Sequence, residues 1–430
     1  MTRGKLSGLQ ITLSRRGLLK GAAALTAAAS VPNAFGQTGA PRGTVWLYVG
    51  TYTGSPGAFG SNGEGIYLCE LNLSTGALTV LRLVGPVVTG GTTSTASPST
   101  LALRGPPMPG INPTQTYLYA GNEYGPPGAV TAYWIDRTTG NLTLLNSQPT
   151  KGAPAYVGVD KGGRYLFAAE YTGGWFEAFP INSNGSLGSA VFQQFDADNV
   201  GPKHATNAPP GSFAISAHEG PNGHPHQMDV DPSNKWVLGP DAGQDRIYVW
   251  QLTPGATPPL TPSTANPGGF ASVPPGDGPR HFAFHPNGIW MYSIQEEAST
   301  IMFWLFNPST GALTAQQIIP SVPPGFAGTD FASEIRVSAD GNFVYGANRT
   351  SDTIGVFSIR QDGRLTQVSH ASTLGDYPRI FAIDPSGQFI AVGNQRADNI
   401  TTFRINPDGS LTFTGNYTSV GSPAGMVFLT

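Results

Sequence analysis

The chain has 430 residues and a formal net charge of −3, and only 11% of its residues are charged, whereas 57 are glycine and 38 are proline. So many helix breakers and so few charges exclude helical bundles and coiled coils and favour an all-β chain rich in turns. No basic stripe is present to neutralise phosphates, which argues against nucleic acid as a partner. The single cysteine, Cys69, excludes internal disulfides and multi-thiolate metal sites.

The N-terminal segment has the pattern of an export signal. Paired Arg15 and Arg16 precede an alanine-rich, weakly apolar stretch and a run of small residues that ends at Gly36. The sequence SRRGLLK resembles a twin-arginine signal, although Leu18 stands where that pattern more often has Phe. An uncleaved membrane anchor is the alternative, but Lys20 interrupts the apolar part, which is shorter than the ~20 residues that span a bilayer. We therefore expect the twin-arginine export machinery as a partner and a periplasmic or secreted protein that has no membrane contact after cleavage.

Beyond the signal the sequence repeats one pattern. Each copy has an alternating strand, a turn of the D-P-x-G type, a second strand, a polar loop, a third strand and an N-G, D-G or T-G turn before a fourth strand. Two divergent copies, around VWLYVG and TYLYAGN, precede five clear ones that begin at Ala155, His226, Arg280, Glu334 and Arg379. The predicted organisation is an export signal at 1–36, a linker at 37–43 and one repetitive domain at 44–430.

Seven four-stranded antiparallel units predict an all-β fold, a seven-bladed β-propeller, because radial closure removes exposed sheet edges. The C-terminal SPAGMVFLT resembles an opening strand with nothing after it, and the first copy lacks that strand. We therefore expect residues 424–428 to pair beside residues 45–49 and to complete the first blade. A β-solenoid is the alternative, but its period is shorter and it needs no such exchange. Inserts rich in Pro, Gly and Thr, expected as loops over one rim, lie near 86–115, 200–222 and 253–277.

The strand order predicts which side chains meet. In a four-stranded meander, the loop before the innermost strand and the loop between strands two and three lie at one end, and the D-P-x-G turns lie at the other. Arg280 begins an innermost strand and Glu296 follows a second strand, so we expect them to meet beside the central channel. His285 belongs to the opposite turns and is expected to be structural. The equivalent positions of other units are His224, His226, Glu334, Arg379, Glu123, Glu170, Asp241, Asp245, Arg349, Asn394 and Gln395.

The motifs also resemble a known family. HPHQMDVDP, QDRIYVW, GPRHFAFHP, SEIRVSADG, NRTSDTIGVF and NQRADNITTFRI are similar to segments of lactonase-type seven-bladed propellers, which include propeller 6-phosphogluconolactonases and fungal carboxymuconate lactonising enzymes. The resemblance covers essentially the whole mature chain. It implies a catalytic histidine, two arginines and a glutamate, which the motifs carry onto His226, Arg280, Arg349 and Glu296. Gln295 stands where the family has Asn, and the phosphogluconolactonases are cytoplasmic whereas this chain carries an export signal.

These residue types suit lactone chemistry. Opening a lactone needs a base that activates water and donors that hold the oxyanion, whereas the reverse closure needs an acid and groups that bind carboxylates. The two arginines can bind a carboxylate, a phosphate or the oxyanion, and His226 or Glu296 can move the proton. The G-x-S-x-G-like segments fall in loops, so we expect direct attack by water. The residues expected to bind the substrate, a small lactone or carboxylate, are His224, His281, Glu334, Arg379 and Gln395.

Three interpretations of function stay open at this point. They are a hydrolase of a sugar-derived lactone outside the cytoplasm, a muconate-type cyclase that works without water, and a non-catalytic propeller that binds a protein or glycan. The charged channel face favours an enzyme, because a scaffold would spread its contacts over the outer rim. His224 and His226 have a spacing that could hold a metal, but no third ligand is evident, so neither a metal nor a cofactor is expected. His218 and Glu219 in AHEGPNG are further candidates for substrate contact.

Overall fold

The computed structural model describes residues 43–54, 61–85, 96–104, 115–197, 204–212 and 223–430. The predicted export signal and nearly all of the linker lie outside these residues. His218, Glu219 and most of the first two predicted inserts lie outside them as well. Within these ranges no helix combines the length and the apolar character that crossing a membrane requires.

Seven sheets of antiparallel strands form the blades of a propeller, as predicted. The strands of the first three blades are β1 (Thr44–Thr51), β2 (Ile66–Asn72), β3 (Leu78–Leu83), β4 (Pro98–Arg104), β5 (Thr116–Asn122), β6 (Ala129–Ile135), β7 (Leu142–Pro149), β8 (Ala153–Val159), β9 (Tyr165–Thr172), β10 (Trp175–Pro180) and β11 (Phe192–Phe195). The fourth and fifth blades contain β12 (Asp229–Val230), β13 (Trp236–Asp241), β14 (Arg246–Leu252), β15 (Leu260–Pro262), a 3-10 turn (Pro267–Gly269), β16 (Phe270–Ser272), β17 (Pro279–Phe284), β18 (Trp290–Gln295), β19 (Thr300–Asn307) and β20 (Ala312–Pro320). The last strands are β21 (Ala332–Val337), β22 (Phe343–Asn348), β23 (Thr353–Ile359), β24 (Leu365–Ser372), β25 (Pro378–Ile383), β26 (Phe389–Asn394), β27 (Asn399–Ile405), β28 (Leu411–Ser419) and β29 (Pro423–Phe428).

The C-terminal strand closes the ring. β29 pairs antiparallel with β1, with Leu47 opposite Phe428 and Gly50 opposite Gly425. The first blade therefore has the order β29-β1-β2-β3, and its innermost strand comes from the far end of the chain. The predicted closure is confirmed, so both ends of the domain are held in one sheet.

Hydrophobic side chains fill the spaces between adjacent blades. Val49 and Cys69 of the first blade pack with Ile380 and Phe389 of the seventh. Equivalent clusters join each of the other neighbouring pairs in the described part of the chain. Burial of apolar surface at every blade boundary stabilises the ring as a whole. Cys69 is fully buried, as its position in a strand predicts.

Tyrosine hydroxyls on second strands add a repeated contact between blades. Each donates to the carbonyl of the glycine in the turn before the outer strand of the next blade, at 2.8–3.1 Å. At Gly140 this turn has a φ of +74°, which explains the glycine in the repeated motif. The pairs are Tyr48–Gly140, Tyr119–Gly185, Tyr292–Gly363 and Tyr345–Gly409.

The fourth blade departs from the pattern. Its innermost strand β12 has only two residues, and before it only an isolated bridge joins Pro225 to Asp241. The insert at 253–277, expected as a loop, instead contains β15 and β16, which both pair with β14. The prediction of a plain loop there was wrong, since short strands in it use the open edge of β14. It was also wrong at 86–115, because that range contains β4, the innermost strand of the second blade.

The two ends of the ring differ as the strand order predicts. Pro279 at the start of β17 lies opposite Gln295 at the end of β18, whereas Phe284 lies opposite Met291 at the other end. We call the end with the starts of the innermost strands, where Arg280 lies, the channel face. The end with the D-P-x-G turns, where His285 bonds to Gly341 O at 3.0 Å, is the turn face.

Candidate active site

Glu296 lies at the centre of a buried ion-pair cluster on the channel face. Its backbone N–H donates to Gly278 O at 2.7 Å, which fixes the loop after β18. Its Oε1 accepts a hydrogen bond from Arg349 Nη2 of the next blade, and its Oε2 lies 3.4 Å from Arg280 Nε. Each of these three side chains belongs to a residue that is at most 4% exposed. The expected meeting of Arg280 with Glu296 is therefore confirmed, and the contact is buried rather than a surface ion pair.

Backbone carbonyls and aromatic rings hold the two arginines. Arg349 donates from Nε to Phe331 O at 3.0 Å, and its guanidinium lies 5.7 Å from the Phe331 ring centre and 5.1 Å from that of Tyr377. Arg280 donates from Nη1 to Ser333 O. Cations over aromatic faces are stabilised by the ring quadrupole. Both guanidinium planes are thus oriented before a ligand arrives.

His226 completes the cluster. Its backbone N–H donates to Pro240 O at 3.0 Å, and its Nε2 lies 4.0 Å from Glu296 Oε2. The edge of its ring meets Tyr171, with 5.5 Å between the ring centres. Among the described residues, Nδ1 of His226 has no hydrogen-bond partner. The imidazole is therefore positioned without being saturated by protein contacts.

The surroundings set the charge of each group. Burial, together with the charges of Arg280 and His281, holds the pKa of His226 well below its usual value. Burial opposes ionisation of Glu296, but the guanidinium groups of Arg349 and Arg280 outweigh it and lower the pKa of Glu296. Burial and the charge of Arg349 lower the pKa of Arg280 to about 9. At neutral pH the site thus combines a neutral imidazole, a carboxylate and protonated guanidinium groups.

A second ion pair lies across the mouth of the channel. Arg379 Nη2 is 3.5 Å from Glu123 Oε2, and the Arg379 guanidinium lies 5.0 Å from the centre of the Tyr52 ring. Oε2 of Glu123 also accepts hydrogen bonds from the hydroxyls of Tyr52 and Ser99, each at 2.7 Å. Arg379 was predicted to bind substrate, and it does face the same cavity as His226.

This mouth cavity has a volume of about 140 Å³. It is lined by Glu123, Tyr171, His226, Glu296, Phe331, Arg349, Tyr377 and Arg379. Charged groups and aromatic rings together in this lining suit a small ligand that has both ring faces and oxygen atoms. Three of the four predicted catalytic residues, His226, Glu296 and Arg349, line this cavity. The fourth, Arg280, does not line it but pairs with Glu296.

His281 and Glu334, expected to bind substrate, line a different cavity. This deeper cavity of about 50 Å³ lies along the innermost strands and also contacts Arg280, Tyr156 and Arg336. Nδ1 of His281 lies 3.2 Å from Glu334 Oε2, and Arg336 Nε lies 3.3 Å from Glu334 Oε1. The structure therefore separates these two residues from the mouth cavity, although both remain in the channel.

His224 and Gln395, also expected to bind substrate, do not line the mouth cavity. The His224 ring stacks on Tyr171 with 4.4 Å between centres, and its Nδ1 bonds to Tyr171 O at 2.9 Å. Gln395 is buried, and its backbone N–H donates to Tyr377 O at 3.0 Å. Both residues support aromatic rings of the cavity. In the part of the chain that the structure describes, no three His, Cys, Asp or Glu side chains are grouped as a metal ion would require.

Other carboxylates of the channel face hold the backbone. Asp241 accepts the backbone N–H of His224 at 2.8 Å. Asp245 accepts those of Gly276 and Gly278 at 2.7 and 2.9 Å. These contacts fix the loops that lead into innermost strands. The strand order correctly predicted that Asp241 and Asp245 lie on the channel face. It did not show that they bind backbone groups and do not line the mouth cavity.

The aromatic lining was missed in the sequence. Phe331 and Tyr377 come directly before β21 and β25, and Tyr171 lies near the end of β9. The strand order that placed Arg280 and Glu296 at the channel face places these three aromatic residues there as well. The prediction was confined to charged, histidine and amide side chains, and therefore did not include the rings that position the arginines.

Comparison with known proteins identifies the family. The model of the family "Lactonase, 7-bladed beta-propeller" matches residues 46–428. The chain belongs to this family. The family predicted from the motifs is confirmed, and with it the enzyme class, a lactone hydrolase.

Named relatives of this propeller are lactonases. A 6-phosphogluconolactonase of Bacillus subtilis is 33% identical over 341 residues, which are 79% of this chain and 85% of that protein. A 6-phosphogluconolactonase of Serratia proteamaculans is 31% identical over 276 residues, which are 64% of this chain and 73% of that protein. The solved structure of a periplasmic gluconolactonase of Pseudomonas aeruginosa has a TM-score of 0.74 and 27% identity, and the match covers 90% of this chain and 99% of that one.

Proposed function

We propose that this lactonase is exported and opens a sugar-derived lactone by direct attack of water in the mouth cavity. The observation that carries the proposal is the buried Arg349–Glu296–Arg280 cluster beside the neutral imidazole of His226. A site of this kind offers a proton acceptor and fixed positive charge within one small cavity. Those are the two functions that hydrolysis of an ester bond needs.

His226 is the better candidate for the proton acceptor. Glu296 is held between two guanidinium groups, which lower its pKa and make its carboxylate a weak base. The imidazole of His226 is neutral and has no such hydrogen bonds in the described residues. We assign Glu296 the task of holding Arg280 and Arg349 in place and of stabilising a positive charge on His226.

The proposed reaction has two steps. Water attacks the carbonyl carbon of the lactone while one of its protons passes to His226, and guanidinium groups of Arg349 and Arg379 stabilise the oxyanion. The bond from the carbonyl carbon to the ring oxygen then breaks, and His226 returns the proton to that oxygen. The product is a hydroxy acid, which loses a proton to solvent at neutral pH.

The pairing of the arginines favours a lactone without a phosphate group. Arg349 and Arg379, the arginines that line the mouth cavity, are already paired with Glu296 and Glu123. A phosphate would have to compete with both carboxylates and would be repelled by their charge. Sugar hydroxyls, in contrast, can donate to Glu123 while the aromatic rings contact the faces of the sugar ring.

A pH-stat screen of the purified protein tests this function. The substrates are plain aldonolactones, their 6-phosphorylated forms and carboxymuconolactone, each measured against spontaneous hydrolysis. We expect acceleration with a plain aldonolactone and a higher kcat/KM than with its phosphorylated form. No acceleration with any of the lactones would contradict the proposed function, and a preference for the phosphorylated form would contradict the substrate assignment.

The export part of the proposal rests on the sequence of the first 36 residues. Replacing both Arg15 and Arg16 by Lys keeps the charge but removes the arginine pair that the twin-arginine machinery recognises. We expect the doubly substituted precursor to stay in the cytoplasm. Fractionation of cells that produce each form checks this, and normal secretion of the double variant would point to another route.

A further inference from the structure

The deeper cavity contains a histidine–carboxylate pair that the reaction above leaves unused. His281 and Glu334 are 5% and 2% exposed, and they belong to innermost strands of adjacent blades. Nδ1 of His281 lies 3.2 Å from Glu334 Oε2 and 3.4 Å from Arg280 Nη1. We take the shorter contact as the hydrogen bond, and because an ionised carboxylate can only accept, His281 Nδ1 then donates to Glu334 Oε2. Nε2 of His281 then carries the lone pair. It has no hydrogen-bond partner among the described residues.

His281 lies next to His226. The two rings meet edge to face, with 5.0 Å between their centres. Each ring has one buried nitrogen without a partner in the described part of the chain, Nδ1 in His226 and Nε2 in His281. The two nitrogens do not bond to each other directly, but one water molecule between adjacent rings can join them. Contacts thus lead from Glu296 at the mouth through His226 and His281 to Glu334.

The two histidines differ in whether a carboxylate within hydrogen-bond distance can stabilise their imidazolium form. His226 is influenced by Arg280, Arg379 and His281, which all disfavour an imidazolium there. His281 faces Arg280 on its own strand, Arg336 on β21, Tyr156 on β8 and His226, but it also contacts the carboxylate of Glu334. An adjacent carboxylate stabilises imidazolium, as in hydrolases that use a histidine base.

We propose that His281 and Glu334 are positioning residues that relay a proton from His226 during lactone hydrolysis. The proposal rests on the proposed function, because it concerns the proton that attacking water releases. That proton passes to His226 Nε2, His226 passes its Nδ1 proton to His281 Nε2, and the resulting imidazolium is stabilised by Glu334. When the ring oxygen of the lactone leaves, the same transfers run in reverse, so no net proton is stored.

The relay requires specific tautomers. His226 must carry its proton on Nδ1, so that Nε2 is free to accept a proton from water. His281 must carry its proton on Nδ1 as well, toward Glu334. A purely structural His226 would instead carry its proton on Nε2 and donate toward Glu296, which lies 4.0 Å away. The tautomer of His226 therefore distinguishes the two cases without any substrate.

Nitrogen NMR of histidine-labelled protein is the first experiment. His281→Asn and His226→Asn assign the two residues among the 7 histidines of the chain. We expect a protonated Nδ1 and an unprotonated Nε2 in both rings at neutral pH. A protonated Nε2 in His226 would overturn the relay, whatever the enzyme hydrolyses.

Kinetics of the same variants is the second experiment. His281→Asn keeps a donor toward Glu334 but cannot take up a proton, and Glu334→Gln keeps the shape but removes the charge. We expect each to lower kcat roughly 10- to 100-fold with little change in KM, a smaller loss than His226→Asn should cause. His285→Asn, on the turn face, is the matched control and should retain the parental kcat.

The pH profile separates a relay from a packing defect. Because Glu334 favours the imidazolium, Glu334→Gln should move the acidic limb of kcat to lower pH. Arg336 disfavours it, so Arg336→Gln should move that limb to higher pH. Parental kcat and pH profiles in all three variants would overturn the relay and leave the proposed function intact. If the parental protein hydrolyses no lactone, the proposed function is overturned. The tautomers measured by NMR would then still show whether the two histidines are coupled.

Discussion

Carboxylates on the two faces of the ring have different partners. On the turn face, Asp231 accepts three backbone N–H groups that lie two, four and five residues further along the chain, at 2.8–2.9 Å. On the channel face, Glu296 pairs with Arg349, 53 residues away, and Glu123 pairs with Arg379, 256 residues away. Local partners fold a turn within one blade, whereas distant partners can meet only once different blades have packed together.

The two faces also differ in the hydrogen-bonding capacity that they leave open. Both oxygens of Asp231 are occupied by backbone donors. At the channel face, Glu296 Oε2 and His226 Nδ1 have no hydrogen-bond partner in the described residues, although both residues are buried. Leaving buried polar atoms unsatisfied lowers stability and is typical of sites that bind a ligand. This difference supports the proposal that the turn face serves stability and the channel face serves chemistry.

The largest effect is expected from removing the strand on which both faces depend. Truncation before Ser422 deletes β29, which exposes the edge of β1 and opens the ring. We expect a steep fall in Tm and loss of lactone turnover. Differential scanning calorimetry checks this, and a Tm equal to that of the full chain would contradict the role of ring closure.

A smaller effect is expected at the arginines of the channel face. Arg349→Lys and Arg280→Lys keep the charge but lose the planar guanidinium that contacts Glu296. If Arg349 binds the oxyanion as proposed, Arg349→Lys should chiefly lower kcat, on the order of 10²-fold as for removal of one oxyanion donor. Arg280, which touches the cavity only through Glu296, should show the smaller loss. Steady-state kinetics of the two variants checks which loss in kcat is larger. Parental rates in both variants would show that neither arginine takes part in the mechanism.

On the turn face, the effect should be on stability alone. Asp231→Ala leaves backbone N–H groups without their acceptor, which we expect to cost about 1–3 kcal/mol. Turnover per folded molecule should stay at the parental value, because the turn lies at the opposite end of the ring from the cavity. Urea unfolding and active-enzyme kinetics on the same sample check both parts. A loss of kcat in the folded fraction would show that the two faces are coupled.

The smallest expected effect is a pH dependence of stability. Burial and the charge of Arg280 lower the pKa of His281 from 6.5 to about 4, so the unfolded chain binds a proton between these values that the folded chain does not. Stability should therefore fall as the pH decreases from 6.5 to 4. His281→Asn should make this fall less steep without abolishing it, because the pKa of His226 is lowered as well, and Tm measured across the range checks this. If stability falls as steeply in the variant, a group other than His281 causes the pH dependence.

The sequence was sufficient for the fold because the repeat carries its information locally. The alternating strands, the D-P-x-G turns and the unmatched C-terminal strand predicted seven blades and the closure by β29. The same geometry placed Arg280 beside Glu296. It failed at 253–277, where β15 and β16 lack the turn signals of the other blades.

Depth along the channel could not be read from the sequence. His281 and Glu334 lie at or near the starts of innermost strands, as Arg379 does, yet they line only the deeper cavity, whereas Arg379 lines both the deeper cavity and the mouth. Strand order gives the face on which a residue lies, but the side-chain path through the channel depends on bulges such as the one between Pro279 and His281. The separation of a mouth cavity from a deeper relay therefore emerged only from the three-dimensional packing.

Turnover of Glu296→Gln beside Asp231→Ala, per folded molecule and on the same aldonolactone, tests most directly whether chemistry belongs to the channel face. Gln keeps the shape of Glu296 but removes the charge that holds Arg280 and Arg349, so some loss of stability is expected and the folded fraction has to be measured with the rate. We expect a loss of turnover of roughly 10²- to 10³-fold in Glu296→Gln, because the arginines that stabilise the oxyanion lose their support, and none in Asp231→Ala. Equal, near-parental rates in the two variants would contradict it.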